Sequence, residues 1–295
     1  MNDNKDKNKG KKDQFVIAYI ADWERCEATL SYAVSLARMI GKGLILMHVS
    51  DPHYTDIDPD EAQQHLVALR DSCLASLTAQ PAASTIPVTY AALRGDTQTL
   101  VTALPTLLGA VAVVAQVDKH AGRRSPLHPR QILHIFKECK TAFLVAQRPL
   151  PEGATPFAHV ALSIDHKKES KDKYIWTSYF ARFGGSTIHT LYYDYKDEFL
   201  KNKWYSNMKF LHKFFSNLNL SFQPHIIPSK STFTDVNALN YAAQQGYDLL
   251  VSVTTKERDA VEFFIGTQEQ RLIDNAHQMP ILFLNPREDL YVLCD

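Results

Sequence analysis

One order of apolar runs and helical segments occurs twice along this chain. An apolar run ends at Asp22 and another at Asp165, and the helix predicted after each run stops at a glycine, Gly41 or Gly184. The offset between the two copies is 143 residues at both landmarks. Repetition at a fixed distance, with equivalent residues at equivalent places, predicts an internal duplication.

Each copy alternates short apolar runs with segments of helical periodicity. The run that ends at Thr254, the helix opened by Gly266 and Thr267, and the run entered through Pro280 form one strand–helix–strand unit. Thr267 suits the N-cap position, because Gln270 three residues later completes a capping box. Such alternation favours an α/β fold in which helices cover both faces of a parallel sheet. We therefore predict two tandem doubly wound domains, each with a five-stranded parallel sheet.

The predicted domains are preceded and separated by segments with little to bury. Residues 1–13 are almost all Lys, Asn and Asp, which is typical of a disordered tail. The stretch 149–157 contains three prolines and a glycine, and we interpret it as a linker. The first domain is accordingly placed at 14–148 and the second at 158–288.

Charge and apolar patterning argue against several classes of partner. Lys and Arg together number 32, as do Asp and Glu, so the net charge is zero and no global field favours nucleic acid. No apolar run reaches the roughly 18 residues of a membrane span, and the N-terminus lacks an apolar signal core. The four cysteines show no paired spacing, which fits a reducing compartment. We expect a cytoplasmic protein without a membrane or nucleic-acid partner.

The segment from Tyr32 to Val49, a helix followed by a strand, closely resembles the first helix and second strand of universal stress proteins. The resemblance extends over almost the whole chain after the tail, as a tandem universal stress protein. It implies the strand order 3-2-1-4-5 in each domain. In that family the last strands of two units commonly pair, so we expect the strands at 142–146 and 281–284 to pair within this chain. A homodimer of the full chain remains open.

The resemblance also implies a nucleotide site, of which this chain keeps only parts. In the family, a loop of the form Gly-x2-Gly-x9-Gly-(Ser/Thr) holds the phosphates of ATP. Its last pair falls on Gly266 and Thr267, whereas Lys256 and Asp259 replace the two earlier glycines. A nest of backbone amides needs the conformational freedom of glycine, so the phosphate loop is predicted to be degenerate.

Acidic residues at strand ends are the other family feature. Asp165 and Asp22 occupy the place where the family has an acidic residue that meets the adenine base. A carboxylate at a strand end can instead cap the helix that follows. Asp22, which directly precedes Trp23, is a candidate for this alternative role. The resemblance thus makes Asp165, Gly266 and Thr267 the candidate nucleotide site of the second domain, with Asp22 as the counterpart in the first.

The first domain lacks the Gly-Thr pair, because His128 and Pro129 stand there and proline offers no amide hydrogen. The loop before this point is basic and contains Arg123 and Arg124. These two residues are candidates for holding an anion through their side chains, and a solvated surface loop is the alternative. The sequence contains no recognised catalytic motif and no metal-ligand spacing.

These observations favour a non-enzymatic universal stress protein that acts in a stress response or in regulation by binding an unknown protein partner through its surfaces. No cofactor is firmly implied. One alternative keeps ATP or AMP binding in the second domain, through Asp165, Gly266 and Thr267. The other alternative is an adenine-nucleotide hydrolase-like enzyme, against which the missing catalytic constellation counts.

Overall fold

The computed structural model describes residues 14–54, 57–78, 85–136, 139–167, 170–227, 234–254 and 268–285. The tail predicted at 1–13 lies outside these ranges, as do Lys256, Asp259, Gly266 and Thr267 of the phosphate loop that the sequence predicts to be degenerate.

The first half of the chain alternates strands and helices as predicted. Its strands are Phe15–Tyr19 (β1), Gly43–Ser50 (β2), Val88–Arg94 (β3), Ala110–Gln116 (β4) and Ala142–Ala146 (β5). Its helices are Glu27–Ile40 (α1), Pro59–Thr78 (α2), Thr97–Leu107 (α3) and Pro129–Phe136 (α4). Gly41 ends α1 in the left-handed conformation, and Asp96 caps α3 by accepting the Thr99 N–H at 2.7 Å.

The second half repeats this order. Its strands are His159–Ile164 (β6), Thr187–Tyr193 (β7), Gln223–Ile227 (β8), Leu249–Val253 (β9) and Ile281–Leu284 (β10). Its α-helices are Ser170–Tyr179 (α5), Glu198–Asn217 (α6), Thr234–Gln244 (α7) and Gln268–Ile273 (α8). Helix α5 continues into one π-helical turn, Phe180–Gly184, and Gly185 then adopts the left-handed conformation. The predicted helix does reach Gly184 and Gly185, but its last turn is wider than an α-helix.

The ten strands form one sheet in the order β3-β2-β1-β4-β5-β10-β9-β6-β7-β8. Neighbouring strands within each half are parallel. Each half therefore has the predicted order 3-2-1-4-5 and is a doubly wound arrangement. The domain limits stay a prediction, because the sheet passes from one half to the other without a break.

Strands β5 and β10 join the two halves. They run antiparallel, with Phe143 opposite Phe283, and the two rings stack with centroids 5.2 Å apart. The predicted pairing of 142–146 with 281–284 within the chain is confirmed. Each half thereby covers a strand edge that would otherwise be open to another chain.

Apolar layers cover both faces of the sheet. Alternate residues of a strand point to opposite layers, so Val16 packs with α1 and α2 while Ile17 packs with α3 and α4. In the second half, α5 and α6 lie on the first face and α7 and α8 on the second. None of the helices in the described ranges is long and apolar enough to cross a membrane. Helices on both faces leave the carboxyl ends of the strands as the edge where a ligand site is expected.

Candidate functional site

The strand order places one candidate ligand site in each half. Strand β1 lies between β2 and β4, and β6 lies between β7 and β9. In open α/β sheets, ligands bind beyond the carboxyl ends of the strands at the point where the winding reverses. The ends of β1 and β4 are here called the first switch point, and the ends of β6 and β9 the second switch point.

An ion-pair bridge spans the first switch point. Asp22 follows β1 and Asp118 follows β4, and Arg25 binds both carboxylates. Its Nη2 and Nε donate to Asp22 Oδ2 at 2.7 and 3.0 Å, and its Nη1 donates to Asp118 Oδ2 at 3.0 Å. Hydrogen bonding to Asp22 raises the pKa of Arg25 above its ordinary value. Charged side chains of the protein itself therefore extend across the first switch point.

The alternative in which Asp22 caps the next helix is wrong. Helix α1 begins only at Glu27, and its N-cap position belongs to Cys26, whose thiol donates to the Trp23 carbonyl oxygen. Asp22 Oδ1 instead accepts the Glu24 N–H at 3.0 Å. The carboxylate is too far from the helix to cap it, because a turn that carries Arg25 separates strand from helix.

The first turn of α1 is also occupied by a strand residue. Gln116, the last residue of β4, accepts the Ala28 N–H through Oε1 at 2.9 Å and donates its own N–H to Thr29 Oγ1 at 2.7 Å. Amide groups without partners at a helix N-terminus are what binds an anion. One such amide is satisfied here from β4, which leaves less of this terminus available to a phosphate.

An aromatic stack covers the neighbouring strand ends. The Trp23 indole contacts two imidazoles, with its ring centroid 4.5 Å from that of His48 and 4.9 Å from that of His65. His48 is buried on β2, and its Nδ1 is 2.7 Å from the Ile20 carbonyl oxygen. Burial lowers the pKa of His48, so the neutral ring with a donating Nδ1 is favoured. The stack fills the space beside β1 and β2 with aromatic rings of the protein.

Asp165, the predicted site residue of the second half, lies buried after β6. Its Oδ1 accepts the Lys167 N–H at 2.9 Å, and its carbonyl oxygen accepts Asn207 Nδ2 at 2.8 Å. Asn207, on α6, also donates to the Lys167 carbonyl oxygen at 2.9 Å. These bonds fix the turn after β6 against α6, and the role of Asp165 toward a nucleotide stays a prediction.

A buried polar cluster lies at the second switch point. It consists of Ser163, Lys173, Asp235 and Ser252, here called the Asp235 cluster. Ser163 is the penultimate residue of β6 and Ser252 that of β9, and their hydroxyls donate to the two oxygens of the Asp235 carboxylate at 2.5 Å each. Lys173 reaches the same carboxylate from α5, with Nζ 3.8 Å from Oδ1. One carboxylate therefore straddles the two strands and is neutralised from the opposite face of the sheet.

The two arginines predicted to hold an anion are exposed on the turns that follow Asp118. The Arg123 carbonyl oxygen accepts Gln131 Nε2 at 3.0 Å, and Gln131 Oε1 accepts the Tyr54 hydroxyl at 2.9 Å. These bonds order the loop through its backbone, without using a guanidinium. Anion binding by Arg123 and Arg124 stays a prediction. In the described part of the chain, no three His, Cys, Asp or Glu side chains are arranged to hold a metal ion.

Sequence reasoning missed the groups that occupy the switch points. Lys173 precedes Trp176 and Phe180 at helical spacing, so it stands on the aromatic face of α5. A buried lysine needs an acidic partner, so the sequence could have predicted that Lys173 forms an ion pair. The identity of the partner could not be predicted, because Asp235 belongs to a distant helix. Arg25 likewise gave only a local hint, three residues after Asp22.

No protein-family model matches the sequence, and no curated protein matches it either. Solved structures do resemble the fold. A universal stress protein from Archaeoglobus fulgidus DSM 4304 has a TM-score of 0.67 at 11% identity, over 93% of this chain and 97% of that chain. A functionally unknown protein from Pseudomonas aeruginosa PAO1 has a TM-score of 0.61 at 14% identity, over 95% of this chain and 94% of that chain.

The cytoplasmic domain of a prokaryotic cation chloride cotransporter is also similar, with a TM-score of 0.54 at 10% identity, over 96% of this chain and 99% of that chain. Likeness at such identities concerns the fold and not the activity. With the strand order and the joint between the halves, it shows that this chain has the universal stress protein fold, twice in tandem.

Proposed function

We propose that this chain is a non-enzymatic universal stress protein that acts in regulation by binding a protein partner, and that neither switch point binds a nucleotide. The observation that carries the proposal is the bridge from Asp22 through Arg25 to Asp118. It joins the ends of the two strands between which a ligand of this fold is expected.

A nucleotide would have to break this bridge to enter the first switch point. The nucleotide would then lie beside two carboxylates without their counter-ion, and these would repel its negative charge. A base that stacked at the neighbouring strand ends would also have to displace the Trp23 indole from its contacts with His48 and His65. Both costs oppose binding in the first half.

The Asp235 cluster supports the same proposal for the second switch point. The hydroxyl protons of Ser163 and Ser252 are both donated to the Asp235 carboxylate, so neither hydroxyl is available to donate to a phosphate. Lys173 forms an ion pair with the Asp235 carboxylate, so its ammonium group is not available to bind a phosphate. The sequence gives a further reason against a nucleotide in the second half, because Lys256 and Asp259 replace two glycines of the family's phosphate loop.

Calorimetric titration of the full chain with ATP and with AMP tests the proposal. We expect no saturable heat up to about 1 mM nucleotide, and no nucleotide released when freshly purified protein is denatured. Micromolar binding that disappears in Asp165→Ala, but persists in the exposed control Asp194→Ala, would overturn the proposal in favour of an ATP or AMP site. ATP turnover lost in Asp165→Ala would instead favour a hydrolase-like enzyme.

A further inference from the structure

The outer face of α6 exposes aromatic rings. The helix packs Met208 and Phe215 into the core, while Phe199 is 67%, Tyr205 63% and Phe210 37% exposed on its other sides. Large aromatic side chains are usually covered in a soluble protein, and several on one helix indicate a surface that meets a partner. The chemistry of that partner follows from the charges that surround the rings.

After its first residue, Glu198, helix α6 carries charge of one sign. From Phe199 to Asn217 the sequence has four lysines and no acidic residue, although the full chain has equal numbers of basic and acidic residues. Lys201 pairs with Glu198 at 3.8 Å, and no ion pair to Lys203, Lys209 or Lys213 occurs among the residues that the structure describes. These three ammonium groups are exposed beside the rings. The complementary partner is therefore anionic.

Cations also lie directly over the exposed rings. Lys203 Nζ is 4.2 Å from the centre of the Phe199 ring, and Lys171 Nζ, from α5, is 5.0 Å from the centre of the Phe210 ring. A cation–π contact holds the ammonium group against the face of the ring, so positive and apolar groups are adjacent on this face. A partner that meets this face meets apolar and positive groups together.

The shape of the face distinguishes between anionic partners. Phe199 and Phe210 are three helical turns apart, about 16 Å along a convex helix. Peptides are commonly bound in grooves or at sheet edges, and single-stranded nucleic acids in grooves with free ring faces for stacking. Here each of these two rings has one face covered by a lysine. A lipid bilayer instead accommodates separate rings on a convex surface, at the boundary between headgroups and acyl chains.

We propose that this face docks on an anionic phospholipid membrane. The lysine–aromatic face consists of Phe199, Lys203, Tyr205, Lys209, Phe210 and Lys213. The rings enter the headgroup region and the ammonium groups bind lipid phosphates, so the protein attaches at the surface and does not cross the bilayer. The expectation of no membrane partner rested on net charge and on the length of apolar runs, and neither of these reports a local face. This inference is independent of the nucleotide question.

Co-sedimentation of the full chain with lipid vesicles tests this inference. We expect binding to vesicles with about one third phosphatidylglycerol and much weaker binding to phosphatidylcholine alone, with the difference decreasing as salt is added. Changing Lys203, Lys209 and Lys213 together to Gln should weaken binding to the anionic vesicles by about a hundredfold. Changing Phe199 and Phe210 to Ser should weaken it while leaving its salt dependence in place.

A matched control removes the same charge elsewhere. Changing Arg94, Lys140 and Arg148 to Gln alters three exposed cations of the first half that belong to neither candidate site, and should leave vesicle binding within about twofold. Circular dichroism verifies that each variant is folded. Equal losses in the α6 lysine variant and in this control variant would overturn the inference in favour of non-specific attraction. Absence of binding to the anionic vesicles would also overturn it, and oligo(dT) binding that needs the same lysines would then identify a nucleic-acid surface.

Discussion

Lys173 is a charged residue in a core position, and its burial determines how much its ion pair contributes to the stability of the fold. The side chain is 1% exposed, and its Nζ lies 3.8 Å from Asp235 Oδ1. A buried ion pair adds little stability over a well-packed apolar pair, because both charges lose their hydration. Removal of one partner has a much larger effect, since the other charge then stays buried without compensation.

Lys173→Met should therefore lower the free energy of unfolding by about 3–5 kcal/mol. Adding Asp235→Asn should recover part of this loss, because the amide remains a hydrogen-bonding group without a charge. Urea unfolding of the wild type and of both variants measures the difference. Lys201→Met is the control: its exposed pair with Glu198 should contribute no more than about 1 kcal/mol. A loss for Lys173→Met as small as this control would contradict the account.

Three histidines form a row across β6, β7 and β8. His159 Nδ1 is 3.1 Å from His189 Nε2, and His189 Nδ1 is 3.1 Å from His225 Nε2. Tyr247 stacks on His189, with ring centroids 3.9 Å apart. Each contact between nitrogens holds one proton, so neutral rings satisfy the row and a doubly protonated His189 strains it. Burial, followed by the charges of His225 and His159, lowers the pKa of His189 to about 4.

The row predicts a loss of stability in acid. Because the pKa of His189 is about 4 in the folded protein and 6.5 ordinarily, the unfolded chain binds more protons at this site between these values. The contribution of the neutral ring is complete above about pH 6.5 and decreases as the pH falls toward 4. His189→Gln should reduce the dependence of the free energy of unfolding on pH between 4 and 6.5, and His212→Gln, at an exposed position, should not. Chemical unfolding across this pH range measures both, and unchanged acid sensitivity in His189→Gln would assign it to other groups.

At the scale of the elements, the sequence predicted which segments form helices and strands better than where they begin. The apolar stripe of α1 and the glycine at position 41 define most of that helix. Its start at Glu27 was not predictable, because the turn before it is held by Arg25 through Asp118, which is distant in sequence. The π-helical turn Phe180–Gly184 was not predicted either: the sequence indicates that the helix ends at Gly184, but not that its last turn is wider than an α-helix.

Two helix ends give a prediction at this scale. Gly41 has a φ of 63° and Gly185 a φ of 65°, and a Cβ added at either would meet nothing within 4 Å. Alanine at either position should therefore cost about 1–2 kcal/mol, from backbone strain and not from a clash. Gly122→Ala is the control, because that glycine also has open space and lacks the left-handed conformation. Urea unfolding compares the three variants, and equal effects would exclude strain at the two helix ends.

For the whole molecule, the order of the strands could be predicted from the sequence. The side chains that meet at the two switch points could not. Alternating strands and helices restrict the sheet to a few connections, and the family resemblance selected the observed order among them. Asp22 and Asp165 were correctly placed at strand ends, because short apolar runs end in a recognisable way. The contacts of Asp22 with Arg25 and Asp118 could not be foreseen, since they depend on how the turns after β1 and β4 come together.

The joint between the halves determines whether either half is independent. Every residue of β5 and of β10 is buried, and both strands belong to the interior of the ten-stranded sheet. One of the two outermost strands, β8, contains Pro224, which lacks an amide hydrogen and so limits pairing with a further chain. The all-apolar strands β5 and β10 have no such residue, and they rely on each other for cover.

Fragments 14–148 and 158–288, each produced alone, should therefore self-associate. An apolar strand edge without its partner pairs with another chain, and β5 or β10 would be such an edge. Mixing the two fragments should yield a one-to-one complex at the expense of the self-associated forms, because the pairing of Phe143 with Phe283 is then regained. Light scattering during size-exclusion chromatography measures the masses before and after mixing. A folded fragment that stays monomeric at high concentration, and does not join its counterpart, would show that the two halves do not depend on the β5–β10 joint.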